Sequence, residues 1–444
     1  MKVDAAIIGA GPAGLSAAIE IAKMGLSVAI VDEYYRSGGR LLGQLYEDPK
    51  QPSHSRLWDG RKIAEGLAAE ARQYGVHILC GVTAWSASPS WQLHMSASGA
   101  GVGSVGSAGV GSVDGTGANG SAASTEASEH GLHRVTAKRL LLATGAAERA
   151  VPLPGWTLPG VVSVGAAQTF TNVHRVALGR RVLIVGIDPL SISVAMEMKH
   201  AGIDVVGMAL PVRSSANGKI SSPMDAIARL SAVSDLAPNP LLRFMGRMSA
   251  GRVERLAAHL LRGDFLRIAG IPVMVRKAVT SIKGTQGVEA VTLQSVTVDG
   301  TLVGYPETIE VDTVCLSGGL YPLADFAQTV GCPMIDIPEL GGVVPLHGSD
   351  MSTPTVGLYV AGNITGIESA KVAMAQGRLA GVSIAHSLGR RPAMTIEQAA
   401  AAVTQARQES SFKFLPNIEQ GRAKMMELWS EGNEIEGASA AWRT

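Results

Sequence analysis

The chain has little of several things that would announce a function. Cysteine is scarce: Cys80, Cys315 and Cys332 are the three thiols in 444 residues, and no two are close enough to make a Cys-x-x-Cys pair. With that spacing a thioredoxin-type dithiol centre, or an iron–sulfur cluster held by this chain alone, is not expected. The three thiols read as ordinary buried side chains of a protein in a reducing compartment. Aromatic residues are only 4% of the chain, too few for a platform on which nucleic-acid bases stack. Charge of either sign is lacking too: 38 Lys and Arg against 37 Asp and Glu leave a net charge of +1, with no long basic run. Nucleic acid is therefore not expected as a partner. No uncharged apolar run reaches the roughly 18 residues of a membrane-crossing helix. The first residues, "KVDAAIIGAG", enter a strand with no charged leader and cleavage site before it. The expectation is a cytoplasmic protein with no direct membrane span.

Hydrophobic residues, at 46%, are plentiful, and the length suggests two or three cores. The segment "VDAAIIGAGPAGLSAAIEIAKMGLSVAIVDE" reads strand, turn, helix, strand. Gly9, Gly11 and Gly14 have the Gly-x-Gly-x-x-Gly spacing: the first permits a tight turn, the second lets backbone approach a pyrophosphate, the third lets helix pack on strand. The helix opening at Pro12-Ala13 points its N–H groups and dipole at the phosphate. The following strand ends in Asp32-Glu33, where an acid bonds ribose hydroxyls. Gly39 and Arg40, in "RSGGRLLGQL", come next.

Two later pieces bear on which nucleotide is bound. "RLLLATGAAER" is an apolar strand ending in Ala143-Thr144-Gly145, and "VGLYVAGNITG" is one ending in Gly362-Asn363. In this order the pieces resemble the two-dinucleotide-fold flavoproteins of pyridine-nucleotide-disulfide-reductase topology. The resemblance implies an α/β fold of two Rossmann-like domains, one of FAD type and one of NAD(P) type. It implies that the first loop, Ala84 and the Ala-Thr-Gly turn bind FAD, that residues 362 and 363 meet the ribityl chain, and that the helix beginning near Glu368, with Ser369 and Ala370 in its first turn, faces the flavin pyrimidine. Asn363 stands where that family has aspartate. An amide oxygen still accepts a hydrogen bond but brings no charge.

The second nucleotide loop departs further. "GRRVLIVGIDPLSISVAMEMKHAGIDVVGMALP" keeps the strand–turn–helix–strand rhythm, but its loop reads Gly186-Ile187-Asp188-Pro189-Leu190-Ser191. Asp188 replaces the second glycine and sets a carboxylate beside any pyrophosphate; two like charges at ~4 Å cost on the order of 1 to 4 kcal/mol. Ser191 replaces the third glycine, and the next strand ends without an acid. A second nucleotide at residues 186–191 is therefore doubtful.

Four regions are expected: 1–160, the first part of the FAD domain; 161–310, the second Rossmann-like domain; 311–390, the return to the FAD domain; and 391–444, a helical C-terminal extension with caps at Thr395 and Asn417. Residues 96–131, rich in Gly, Ser and Ala, read as a flexible insert between two strands. In the extension, "SFKFLP" carries two phenylalanines, expected to pack back on the core.

"ATGAAERAVPLPGWTLPGVVSVGAAQTF" (143–170) and "DTVCLSGGLYPLADFAQTVGC" (312–332) sharpen the resemblance, to the large subunits of opine oxidase, hydrogen cyanide synthase, dye-linked proline dehydrogenase and heterotetrameric sarcosine oxidase. The second segment resembles the strand by which those chains return to the FAD domain. The resemblance implies an FAD-binding subunit of a hetero-oligomeric amine or amino-acid dehydrogenase. A catalytic partner subunit would hold its own FAD, and a small iron–sulfur subunit is a possible third component. No catalytic base stands out among the ten scattered histidines; Lys371 and Glu368 are the residues nearest the flavin-binding turn. A self-sufficient NAD(P)H-dependent flavin reductase and a non-catalytic nucleotide-binding scaffold are the alternatives. Asp188 opposes the first; Asp188 and Asn363 together motivate the second.

Overall fold

The computed structural model describes residues 1–47, 56–97, 134–231, 266–410 and 413–436. The Gly/Ser-rich insert therefore lies, beyond residue 97, outside the described residues. The strands flanking it, Gln92–Ala97 and Arg134–Leu142, pair antiparallel with Leu93 opposite Val135.

Two sheets organise the chain. In the first, strands Lys2–Ile8, Val28–Asp32, His77–Cys80, Arg134–Leu142 and Leu358–Val360 run parallel. Their near-continuous apolar runs are what a parallel strand covered on both faces requires. Ala5, Ala6, Ile7 and Leu140 to Leu142 are fully buried. Two helices lie against one face, Pro12–Lys23 and Ala370–Ser387. They approach until a Cβ on Gly377 would sit 2.1 Å from the Ala13 carbonyl oxygen, so glycine there sets the spacing of the two helices.

The second sheet repeats the plan. Arg181–Val185 pairs parallel with Asp204–Pro211 on one side and Thr313–Leu316 on the other. The strand expected to lead back into the first domain thus begins inside the second sheet, and the chain leaves that sheet after Leu316. An antiparallel edge, Ile271–Lys283, Ala290–Val296 and Leu302–Glu310, completes it.

The C-terminal helices are packed elements. Thr395 and Gln398 form a reciprocal capping box at the start of Ile396–Glu409, and Ala399 and Val403 enter the first core. Helix Ile418–Glu436 begins directly after Asn417 and places Ile418 and Met425 against Ile337, Leu340 and Val344. Phe414 packs against the core of the second sheet, as expected; Phe412 lies outside the described residues.

Where the two halves meet, Glu197 is buried on helix Pro189–His200. Gln168 donates to both its oxygens (3.2 and 3.0 Å), Asn172 at 2.6 Å and Ser193 at 3.2 Å. Asn172 also donates to the Gly43 carbonyl at 2.7 Å, tying the first fold to the second. Burial pushes the carboxyl up to about 7, against the pull of these donors. Below its ordinary value of 4.5 the group costs folding nothing. As pH rises above that value the unfolded chain releases a proton that the folded one retains, and the cost is complete above about 7. Glu197→Gln should therefore gain melting temperature relative to wild type between about pH 5 and about pH 8. A thermal-melt difference that stays constant across that range would mean Glu197 is ionised throughout.

Candidate functional site

The C-terminal ends of Lys2–Ile8 and Arg134–Leu142 open into a cavity of about 830 Å³. This is where parallel α/β sheets bind ligands, and the volume suits a cofactor site. Sixteen of the seventeen residues selected from sequence line it, that is, all but Gly14. Gly14 lies behind the wall. A Cβ there would fall 1.9 Å from the Gly9 carbonyl oxygen, so its place is in packing and not in contact with a ligand. Gly9, at φ +106°, lies so close to the neighbouring turn that a Cβ would meet the Ala143 oxygen at 2.3 Å. Gly11 is different: a Cβ there meets nothing within 4 Å, and the space it would fill is the cavity.

Helix Pro12–Lys23 starts on Gly11, and no side chain caps it. Its first-turn N–H groups and the positive end of its dipole face a lined space, which suits a pyrophosphate. Beside them Asp32 accepts from the amides of Ala10 at 2.6 Å and Tyr34 at 2.8 Å. A carboxylate has about four acceptor positions, so two amides leave room for ribose hydroxyls. Burial raises the Asp32 carboxyl above its usual range despite those amides. These features fit the adenosine diphosphate half of FAD.

The opposite end of the cavity is built by the turn 362–369. Gly362 donates its N–H to Gln376 Oε1 at 2.9 Å. Asn363 Oδ1 accepts from the Glu368 amide at 3.1 Å, so one of its acceptor positions holds the turn itself. Ser369 caps helix Ala370–Ser387, whose N-terminal residues line the cavity. Negative charge on a flavin ring bound there would be stabilised by the helix end.

Three placements differ from expectation or were not legible. Glu368 lines the cavity but is fully engaged: Arg407 donates to it at 2.7 Å, and Arg422 pairs with its other oxygen. Burial pushes that carboxyl up, but Arg422 and Arg407 together hold it below the ordinary range. Lys371 lies 5.4 Å from the Trp58 ring centroid and is not part of the cavity wall. The far wall comes from the second fold, through Gln168, Pro189, Leu190 and Ser193, and from Phe414. No signal in the sequence pointed to these. Arg40 reaches the Ala146 carbonyl at 3.1 Å and stands 3.7 Å from Glu148, which also accepts from the Gly165 amide at 2.9 Å.

The second loop presents the reverse of the first. Gly186, at φ +119°, is pressed so close that a Cβ would meet the Ser317 oxygen at 2.0 Å, as Gly9 is pressed on Ala143. The turn is intact, but Asp188 caps its own helix. The carboxylate accepts from the Ser191 amide at 3.0 Å and the Ser317 hydroxyl at 2.5 Å, and the Ser191 hydroxyl accepts from the Asp188 amide at 3.0 Å. Asp188 and Ser191 are both buried. The helix start that is open at Gly11 in the first fold is here capped by a side chain. None of the three thiols lines the cavity; Cys315 and Cys332 are buried as expected, whereas Cys80, at the end of an edge-side strand, is only half-buried. Burial, reinforced by the Glu148 charge, pushes Cys315 up to about 12, and burial pushes Cys332 up to about 11.

The sequence profile described as pyridine nucleotide-disulphide oxidoreductase matches residues 3–377. An opine oxidase subunit of Agrobacterium tumefaciens (strain Ach5) is 27% identical over 388 residues, covering 86% of this chain and 65% of that protein. Hydrogen cyanide synthase subunit HcnB of Pseudomonas protegens is 25% identical, covering 86% of this chain and 70% of that one. The chain thus spans about two thirds of the length of these relatives. The solved L-proline dehydrogenase of P. horikoshii superposes with a TM-score of 0.58 at 20% identity, over 92% of this chain and 59% of that chain, a likeness of fold.

The two glycines separate ligand from fold. Gly11 has extended backbone that any residue adopts. Gly11→Val should leave the melting temperature of the flavin-free protein near wild type and reduce flavin content at least about tenfold, since the side chain takes the phosphate's space. Gly14→Ala should instead destabilise the fold by about 1–3 kcal/mol or more through overpacking. Full flavin absorbance in purified Gly11→Val would place the pyrophosphate elsewhere.

Proposed function

We propose that this chain, which belongs to the pyridine nucleotide-disulphide oxidoreductase family and is an FAD-dependent oxidoreductase, is the FAD-binding subunit of a hetero-oligomeric amine or amino-acid dehydrogenase or oxidase. The substrate class is that of a proline-, opine- or sarcosine-like secondary amine. The observation that carries the reading is the Asp188 cap. The first helix end is open to a dinucleotide, and the second is closed by its own carboxylate. An enzyme fed by NADH or NADPH at that loop would need both ends open. Electrons therefore reach this chain from another source, and the subunit names of the similar proteins support a partner chain as that source.

Bound FAD supplies the capacity to take up a hydride equivalent. The chain's residues supply its setting. The uncapped helix at Gly11 and the acid at Asp32 hold the adenosine diphosphate half; the turn at Gly362 and Asn363 and the helix behind Ser369 hold the other. Arg40 and Glu148 lie on the wall towards the second fold. The amine-oxidising centre, with its own FAD, belongs in this reading to the partner subunit, and any iron–sulfur cluster to a further chain. Cytoplasmic placement is part of the same proposal; among the described residues no helix is long and apolar enough to cross a membrane.

The test is anaerobic and spectroscopic. The isolated chain should hold FAD, show no rapid bleaching with micromolar NADH or NADPH, and turn over no amine at a useful rate. Co-purified with its partner, the same flavin should bleach on addition of a secondary amino acid. Rapid bleaching of the isolated chain by a reduced nicotinamide would overturn the reading of Asp188. Strong amine turnover by the chain alone would overturn its place as one component of a larger enzyme.

A further inference from the structure

The C-terminal extension reaches the cofactor turn by two arginines, one from each helix. Arg407, on Ile396–Glu409, donates through Nε and Nη2 to the two Glu368 oxygens at 2.7 and 3.3 Å. Arg422, on Ile418–Glu436, pairs with Glu368 Oε2 and donates to the Thr365 carbonyl at 2.8 Å and the Thr365 hydroxyl at 3.1 Å. Thr365 in turn donates to the Gly362 carbonyl at 2.9 Å. Gln376 joins the ring, bonded to Gly362 N–H on one side and to Glu368 at 3.4 Å on the other. His347 closes the cluster, 3.5 Å from Arg422. Burial, with the Arg422 charge beside it, pushes that imidazole down to about 3, so it is neutral.

Glu368 side-chain exposure is 7% and that of Arg422 is 11%, so these charges face a poorly solvated interior. The cluster holds one carboxylate and two guanidiniums, a net charge of +1 one residue from the cap of the helix that faces the cavity. Both arginines lie beyond residue 377, where the family match ends.

We propose that Arg407 and Arg422 are positioning residues for FAD: through Glu368 and Thr365 they fix the turn 362–369 against the cofactor and place a net positive charge behind it that favours the reduced, anionic form. Buried charges are weakly screened, so a change of one unit there is felt across the turn. An ordinary structural ion pair would hold the extension in place and leave the cofactor's affinity and potential as they were. The inference rests on the FAD cavity and not on the amine-oxidising assignment, so the two stand or fall separately.

The test uses the full-length, FAD-loaded chain and three variants, Arg407→Gln, Arg422→Lys and Glu368→Gln. Readouts are the FAD dissociation constant, from fluorescence quenching on adding FAD to stripped protein, and the midpoint potential, from equilibration with reference dyes. The charge of the cluster runs from zero in Arg407→Gln, through +1 in wild type and Arg422→Lys, to +2 in Glu368→Gln. The midpoint potential should rise in that order. Arg407→Gln should also weaken FAD roughly tenfold, the equivalent of one lost charge-assisted hydrogen bond, while Arg422→Lys keeps the potential near wild type. Arg407 is the most exposed of the three, at 26%, so its variant is expected to fold and carry the test alone if needed. Potentials and FAD affinities that stay at wild-type values in Arg407→Gln and Glu368→Gln, with only melting temperature changed, would overturn the proposal.

Discussion

The first few N–H groups of a helix have no partner inside the helix, and something must take them. Much of this molecule follows from how two helix starts solve that problem. At Pro12 no side chain answers, because residue 11 is glycine, and the unmet donors look into a cavity. At Pro189 the cap is Asp188, which takes the Ser191 amide and is braced by Ser317. The backbone approach is the same at both: Gly9 is pressed on the Ala143 carbonyl as Gly186 is on that of Ser317. One fold repeated twice thus holds a ligand-dependent end and a self-sufficient one. The difference is two or three side chains, none of which alters the course of the chain.

Closing the second loop does not take the second fold out of the site. Pro189, Leu190 and Ser193, from the first turns of the capped helix, line the same cavity as the glycines of the first loop. Gln168 stands between Glu197 and that cavity, and Asn172, bonded to Glu197 and to the Gly43 carbonyl, joins the halves. A domain whose own helix start is capped by Asp188 still supplies a wall, and that role needs rigidity and a shape. The Glu197 network supplies both, at the cost of a buried carboxyl held far from its ordinary titration range.

The parallel strands, the first loop and the cofactor turns were legible in the sequence because each is written locally. Glycines at fixed offsets, a strand that ends in Asp32 and an Ala-Thr-Gly turn mean the same thing wherever they meet. The Asp188 substitution was legible as a defect, from charge alone. That it is also a cap rests on Ser191 three residues on, a pattern overshadowed by the glycine spacing it replaces; its brace, Ser317, lies 129 residues away in sequence. Asn363 was read as a ribityl contact, and its bond to the Glu368 amide is a feature of a turn whose path the sequence does not give. The strand Thr313–Leu316 was expected in the first half because its neighbours belong there; its pairing with Arg181–Val185 is a register choice that no local pattern encodes. Lys371 and Glu368 fell together as candidates by position in sequence. Rotation about one helix start sends them to opposite fates, one over Trp58 and the other into an ion pair.

The C-terminal arginines show the limit most clearly. Arg407 and Arg422 lie on helices whose own patterns announce nothing beyond a cap and a few apolar residues, and each is 39 or more residues from Glu368. A buried carboxylate is costly unless it is paired and hydrogen-bonded, so Glu368, embedded beside the cofactor turn, required cations from somewhere. The seam between the two stacked helices has no room for them, since a Cβ on Gly377 or Gly381 would meet the backbone of the first helix. A terminal extension that folds over the outside of the turn provides them without disturbing that packing. The extension thus docks through two kinds of contact, apolar residues against the cores and arginines against Glu368, and a segment that reads as an appendage in sequence is tied to the turn that lines the cavity.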